Sequence, residues 1–216
     1  IRAYRIPILE VAGYEADDVI GTLATEAGRQ GIITYMMTPD KDYGQLVSDK
    51  VFMYRPKHTG GFEVMGVDEV KAKFDIQSPA QVIDMLGLMG DSSDNIPGCP
   101  GVGEKTAQKL IAEFGSIENL LEHTDQLKGA LKTKVETNRE MITFSKFLAT
   151  IKIDVPIQLD MDSLVREQAD EDSLRQIFEE LEFRTLIDRV LKKENAGNGI
   201  TTPTGNKTAA EKSNLA

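Results

Sequence analysis

The sequence predicts an α/β fold: a mostly parallel sheet core, followed by a largely helical part. Two observations predict it. Val19, Ile20, Leu23, Ala24 and Ala27 recur at helical spacing, and the β-branched, apolar run Ile32–Thr38 follows directly. From Val67 onward, almost every apolar stripe has helical period. Helix followed by strand is the alternation that builds parallel sheets.

Taken in order, Ile1–Tyr14 is irregular, with a short apolar stretch at Ile8 and Leu9. The first helix ends at Gly31. The run from Ile32 reads as a buried strand stopped by Pro39. Val51–Tyr54 and Phe62–Met65 read as two further strands joined by a Gly60-Gly61 turn. Ser78-Pro79 is a helix start, with serine as N-cap and proline in the first turn; Val82, Ile83, Leu86 and Met89 form its stripe. Gly90–Gly103 is a loop rich in glycine and proline. Ala107, Leu110, Ile111 and Phe114 mark the next helix, and Ser116 caps another that turns Ile117, Leu120 and Leu121 inward. Helices continue over Lys128–Thr150. Ile151–Leu159 is extended and is expected to return to the sheet. Leu174, Ile177, Phe178 and Leu181, then Leu186, Ile187, Val190 and Leu191, give two last stripes. The domain reading is therefore 1–78 for the α/β core, 79–150 for a helical part and 151–192 for a strand and helices packing on the core. Residues 193–216, poor in large apolar side chains, read as a flexible linker.

No apolar run approaches the roughly 20 residues of a membrane helix, so no membrane partner is expected. Cys99 is the only cysteine, which excludes an intrachain disulfide and makes the cytoplasm the default compartment. Against 25 basic residues stand 35 acidic ones, a formal net charge of −10. Taken alone, this charge argues against nucleic-acid binding. The argument reverses if the acids gather where a divalent cation bridges protein and phosphate.

Three acidic clusters sit at element boundaries: Glu15-Ala16-Asp17-Asp18, Asp40-Lys41-Asp42 and Asp91-Ser92-Ser93-Asp94. Each alone is equally an ordinary helix start, turn or loop; acids in a first helical turn contribute only about 0.3–1 kcal/mol. Together, seven carboxylates sharing one site could not stay ionised unaided. Two unit charges about 4 Å apart repel by roughly 4 kcal/mol at an effective dielectric of about 20. Hard divalent cations relieve that repulsion, and an oxygen-only donor set suits Mg²⁺ or Mn²⁺. His58 and His123 are isolated and read as surface residues, so no zinc pattern exists. Two such ions can activate water and stabilise the leaving oxygen in phosphodiester hydrolysis.

Asn95–Ala107 leads into a helix through Gly98, Gly101 and Gly103. Gly101 and Gly103 allow a tight turn with outward amides. The helix start adds free N–H groups, and Lys105 and Lys109 lie on one face. This suits a phosphate of a nucleic-acid backbone; a plain interhelix turn remains the alternative. A Walker A loop fails because Glu104 separates Gly103 from Lys105, and G-x-G-x-x-G fails at Thr106. Nucleotide binding and other small-molecule cofactors are thereby disfavoured.

The motifs Gly13–Asp18, Thr38–Asp42, Gly90–Gly98 and Gly101–Ala107, in this order and spacing, resemble the 5′ nuclease domain carried by bacterial DNA polymerase I; flap endonucleases are similar. The resemblance runs from about Ile8 to about Leu191. It implies a PIN-like core, a helix–three-turn–helix DNA-binding element, and two-metal cleavage of 5′ flaps and 5′ ends in primer removal and repair. It assigns Glu15, Asp17, Asp18, Asp40, Asp42, Asp91 and Asp94 to the metals, some through water, with Asp40, Asp42, Glu15 and Asp91 carrying the catalysis. It assigns Gly98, Gly101, Val102, Gly103, Lys105, Thr106 and Lys109 to the duplex backbone, with a bound K⁺. It implies polymerase domains further along the parent chain. The family's first strand, with its leading Asp, and its basic arch are expected ahead of Ile1. Their absence leaves a DNA-binding module without catalysis as the alternative function, and a bare sheet edge open to self-association. Tyr43 and Cys99 depart from the common family residues, at positions expected to lie outside the carboxylate set.

Overall fold

The computed structural model describes residues 1–57 and 59–191; His58 and the expected linker lie outside the described residues. The chain divides into two compact units. The larger is Leu9–Asp160; the smaller joins Ile1–Ile8 to the described residues from Met161 to Leu191.

In the larger unit, helix α1 (Ala16–Arg29) begins with Asp17 and Asp18 in its first turn and buries Val19, Thr22, Ala24 and Ala27. Strand β1 (Thr34–Met37) pairs parallel with β2 (Val51–Pro56), and β2 pairs antiparallel with β3 (Phe62–Met65), giving the order β1-β2-β3. Between β1 and β2 the chain makes a 3₁₀ turn, Lys41–Leu46. The parallel character expected of the sheet thus resides in one strand pair, because the Gly60-Gly61 turn folds β3 back as a hairpin.

The run from Ile32, expected to be a buried strand, is buried on one face only. Met36 is 4% exposed, but Tyr35 is 56% and Met37 73% exposed. Only the face carrying Met36, Val51, Met53 and Met65 meets the core; on the other, Tyr35 stacks on Phe52 and Tyr54 on Phe62. An apolar sequence hid this asymmetry, since the exposed face of β1 carries Tyr35 and Met37, as bulky and apolar as Met36 on the buried one.

The rest of the unit is helical: α2 (Val67–Phe74), α3 (Val82–Met89), α4 (Glu104–Phe114), α5 (Ile117–Glu122), α6 (Gly129–Thr137) and α7 (Arg139–Ala149). Ser78 opens a capping box with Gln81, and Ser116 accepts from the Asn119 amide. Helix α3 is central, packing against α4 and α7. It buries Val82, Met85, Leu86 and Leu88 rather than a single stripe. One continuous cluster joins these side chains to Met53 of the sheet, Leu110 and Ile111 of α4 and Ile142 of α7, so sheet and helices share a core.

The segment 151–159 does not return to the sheet. The Ile151 amide donates to Gln45 Oε1 (2.9 Å), Lys152 N to Asp18 Oδ1 (2.9 Å) and Val155 N to Thr22 Oγ1 (3.2 Å). Side chains of α1 and the 3₁₀ turn therefore satisfy an extended backbone that would otherwise seek a strand partner. Gly21 permits this approach, because a Cβ there would stand 2.7 Å from Ile151 Cγ2.

In the smaller unit, α8 (Glu171–Glu180) and α9 (Arg184–Leu186), which runs on through Ile187–Leu191, bury Leu174, Phe178 and Leu191 with Ala3 and Tyr4 alongside. The Asp170 amide donates to the Ala3 carbonyl, tying the two stretches of chain together. Among the described residues, no helix is long and apolar enough to cross a membrane.

Candidate metal centre and nucleic-acid interface

The three acidic clusters converge. Glu15, Asp17, Asp18, Asp42 and Asp94 line one cleft of about 290 Å³, together with Ile96 and residues 148–151. Carboxylate oxygens of Asp42, Asp91 and Asp94 all lie within 4.8 Å of one another. Asp40 adjoins them as cap of the 3₁₀ turn, accepting from the Asp42 amide at 3.0 Å. Every carboxylate picked out in the sequence therefore reaches this neighbourhood.

Backbone hydrogen bonding fixes several of them. Asp91 Oδ1 accepts from Ser93 N at 2.8 Å, and Asp91 and Ile96 exchange both backbone bonds, closing a small loop. Asp18 is held by Lys152 N. Asp91 and Asp42 are only 6% and 7% exposed. Lys41 is the local counter-charge: its ammonium binds Asp91 and stands 3.5 Å from Asp42 Oδ1. That Oδ1 is buried and accepts no hydrogen bond.

The electrostatics follow. Burial pushes the Asp42 carboxyl up to about 6, and Asp40, Asp91 and Asp94 push the same way against Lys41. Asp94 is raised by desolvation and by Asp91, Asp40 and Asp17. For Asp91, burial is outweighed by the Lys41 ammonium and the Ser93 amide, which hold it below the usual range. One lysine cannot neutralise this cluster. The excess negative charge and the orphaned oxygen are what an oxygen-ligated cation would relieve.

The same loop, residues 90–103, carries the chain from the acids to the glycine hairpin. Gly98, at φ +62°, is pressed on Gly90: a Cβ would lie 2.3 Å from Gly90 N. Its amide donates to Ser145 Oγ (3.0 Å). Val102 is buried and its amide donates to the Cys99 carbonyl. Gly98 and Val102 thus face inward and build the hairpin, rather than presenting amides to a ligand. Gly101 has φ +76° and needs glycine for its conformation. Gly103 does not: as N-cap of α4 it has φ −98°, and a Cβ there would meet nothing within 4 Å. Glycine at 103 is therefore required neither by backbone conformation nor by packing. Lys105 and Lys109 are exposed and Thr106 half-buried.

Residues 1–75 match the family described as 5′-3′ exonuclease, N-terminal resolvase-like domain, and residues 77–172 that described as 5′-3′ exonuclease, C-terminal SAM fold. The chain belongs to the 5′-3′ exonuclease family. It is 41% identical over 192 residues to DNA polymerase I of Bacillus caldotenax, a match covering 88% of this chain and 22% of that protein. The chain thus spans about a fifth of the length of the curated relatives it matches. Its α/β core with helical part also matches bacteriophage T5 5′-exonuclease with bound zinc (TM-score 0.60, 23% identity, 66% of this chain and 52% of that one). A complex of the T5 flap endonuclease with DNA and metal ions superposes similarly (TM-score 0.58, 22% identity, 65% and 51%).

In this exonuclease-family chain, the roles of two residues escaped the sequence reading. The Tyr43 hydroxyl donates to Asp17 Oδ1 at 3.0 Å, so Tyr43 does touch the carboxylate set; burial and Asp17 raise its pKa. Its place two residues beyond Asp-Lys was visible, but nothing in the sequence showed the turn that aims it at α1. Asp84 is the other: buried, it accepts from Ile117 N (2.9 Å) and Lys146 Nζ (2.6 Å), and Lys146 also reaches Glu118. This carboxylate caps α5 inside the core and is structural. Cys99 is buried, with Sγ 3.8 Å from the Lys134 carbonyl, away from the acids.

Proposed function

We propose that this chain hydrolyses phosphodiester bonds at 5′ ends and 5′ flaps of DNA, as the 5′ nuclease part of a DNA polymerase I. The observation that carries this reading is the convergence of three acidic segments, far apart in sequence, on one cleft where a buried Asp42 oxygen lacks a hydrogen bond. Asp42, Asp91 and Asp94 would hold Mg²⁺ or Mn²⁺, with Glu15, Asp17, Asp18 and Asp40 acting directly or through water. The hard, all-oxygen donor set fits those ions, which when bound would lower the pKa of attacking water and stabilise the leaving oxygen. Tyr43 would orient Asp17, and Lys41 would balance the charge that remains.

The exposed part of the hairpin, Gly101, Gly103, Lys105, Thr106 and Lys109, would receive the duplex backbone through the start of α4. A K⁺ there would draw on hairpin carbonyls, one of which, Gly101 O, already accepts from Lys134. With a net charge of −10, binding should be weak and salt-sensitive, and metal at the acidic site should strengthen it. Polymerase domains of the same parent chain are the proposed covalent partners, and the cytoplasm the proposed compartment.

The test is cleavage of a labelled 5′-flap duplex with Mg²⁺ or Mn²⁺, beside an EDTA control and Asp40→Asn, which keeps the capping oxygen. Metal-dependent cleavage lost in the variant supports the proposal. Duplex binding without any cleavage would replace it with a DNA-binding module.

A further inference from the structure

We infer that Lys134 is the tethered cation of the glycine hairpin, bridging the Gly101 carbonyl to a phosphate of bound DNA. The inference rests on the reading of the hairpin as a backbone-binding element and adds a contact from a different helix. Lys134 lies on α6, one residue before Val135, which is fully buried and fixes the orientation of the helix. Cys99 Sγ meets the Lys134 carbonyl, docking α6 against the hairpin from below. The lysine side chain then runs outward, and its Nζ donates to Gly101 O at 3.2 Å.

The ammonium lies directly over Gly101. A Cβ there would stand 2.5 Å from the ammonium. An ammonium has three donors; one is used on Gly101. Among the described residues no carboxylate pairs with Lys134, and what sets it apart from the other lysines without one is its bond to the hairpin carbonyl. In a chain with ten more acids than bases, an exposed lysine without a carboxylate, seated on a carbonyl of the phosphate-facing turn, is placed for an external anion. Lys134 would thus do with a covalently held charge what a monovalent ion between carbonyl and phosphate would do.

The test is fluorescence anisotropy with a labelled blunt duplex in EDTA, titrated with salt from 50 to 200 mM, using the whole chain and Lys134→Met, Lys134→Arg and Lys132→Met. One lost phosphate contact lowers the slope of log K against log salt by about 0.9, so over this fourfold range Lys134→Met should lose about 3-fold less affinity than the parent. Lys134→Arg and Lys132→Met should keep the parent slope. Replacing NaCl by KCl at equal ionic strength should leave the parent's affinity within about 2-fold, as expected where a lysine holds the place of the ion. An unchanged slope in Lys134→Met, even with a lowered melting temperature, would show that Lys134 only pins the hairpin and would overturn the inference. A strong preference of the parent chain for K⁺ would overturn it too. If the parent chain binds no duplex at all, the reading of the hairpin fails first and takes this inference with it.

Discussion

Replacing Asp42 by Asn should stabilise the metal-free protein while removing its response to metal. Burial and three neighbouring carboxylates raise Asp42 from 3.8 to about 6. A raised carboxyl pKa means that the folded state binds the proton more tightly than the unfolded chain does. The stability associated with that proton is present below the unfolded value and is lost as pH rises through about 6. At about 1.36 kcal/mol per pKa unit, ionised Asp42 costs the fold about 3 kcal/mol at pH 7.5. That cost already includes the Lys41 contact at 3.5 Å; discounted for partial screening by solvent, a gain of about 2 kcal/mol is expected, or roughly 4–8 °C in melting temperature for a chain of this size. Urea unfolding followed by circular dichroism in EDTA should show this gain at pH 7.5 and its disappearance near pH 4. With Mg²⁺ at about 100 times its dissociation constant, the parent should gain about 2.7 kcal/mol and the variant far less. A gain that does not change between pH 4 and 7.5, or a variant less stable than the parent at pH 7.5, would refute the electrostatic argument. An Mg²⁺ shift of parental size would remove Asp42 from the metal centre.

Further substitutions separate construction from contact. Gly98→Ala places a Cβ 2.3 Å from Gly90 N at φ +62° and should cost about 3 kcal/mol in chemical denaturation, whereas Gly103→Ala should leave stability within about 0.5 kcal/mol yet weaken duplex binding in anisotropy titrations. Tyr43→Phe removes the hydroxyl from Asp17 and should cost about 1 kcal/mol; by Mn²⁺ titration in a thermal-shift assay, its metal midpoint should rise about 10-fold. Lys146→Met leaves Asp84 buried without its ammonium and should cost about 3 kcal/mol, measured by urea unfolding at pH 7.5.

The sequence was most informative where chemistry and local structure coincide. Glu15, Asp17 and Asp18 could be placed at a helix start because Val19 and its periodic neighbours announce the helix; Asp40 and Asp42 could be placed beyond a strand because Pro39 ends it. The apolar stripe of α4 was legible for the same reason, all four of its assigned residues being buried. What could not be read was orientation. Ile32–Thr38 shows no alternation, so its solvent-facing side was invisible. Ile151–Leu159 has strand-like composition, but its hydrogen bonds go to Asp18, Thr22 and Gln45, partners more than a hundred residues away. Gly98, Gly101 and Gly103 look equivalent in a string; the structure makes the first a close contact, the second a left-handed turn and the third an open position.

The acidic centre and the core compete for the same short segments, and this explains how an unfavourable cluster persists. Asp42 is flanked by Tyr43 and Gly44, both buried, in a 3₁₀ turn that packs on α1 and α3. Asp91 follows α3, whose Leu86 and Leu88 are fully buried. Moving either carboxylate toward solvent would drag core side chains with it. Each fully buried Leu or Met contributes roughly 1.5–3 kcal/mol, so a few of them offset the repulsion felt by Asp42. Lys41 reduces that repulsion further while leaving Asp42 Oδ1 without a hydrogen bond. The packing therefore holds the site assembled at a local electrostatic cost, and a cation that relieved the cost would gain affinity from it. Substitutions that relax the core under α3 should accordingly weaken metal binding before they abolish folding, whereas neutralising an acid should strengthen folding while it weakens metal binding.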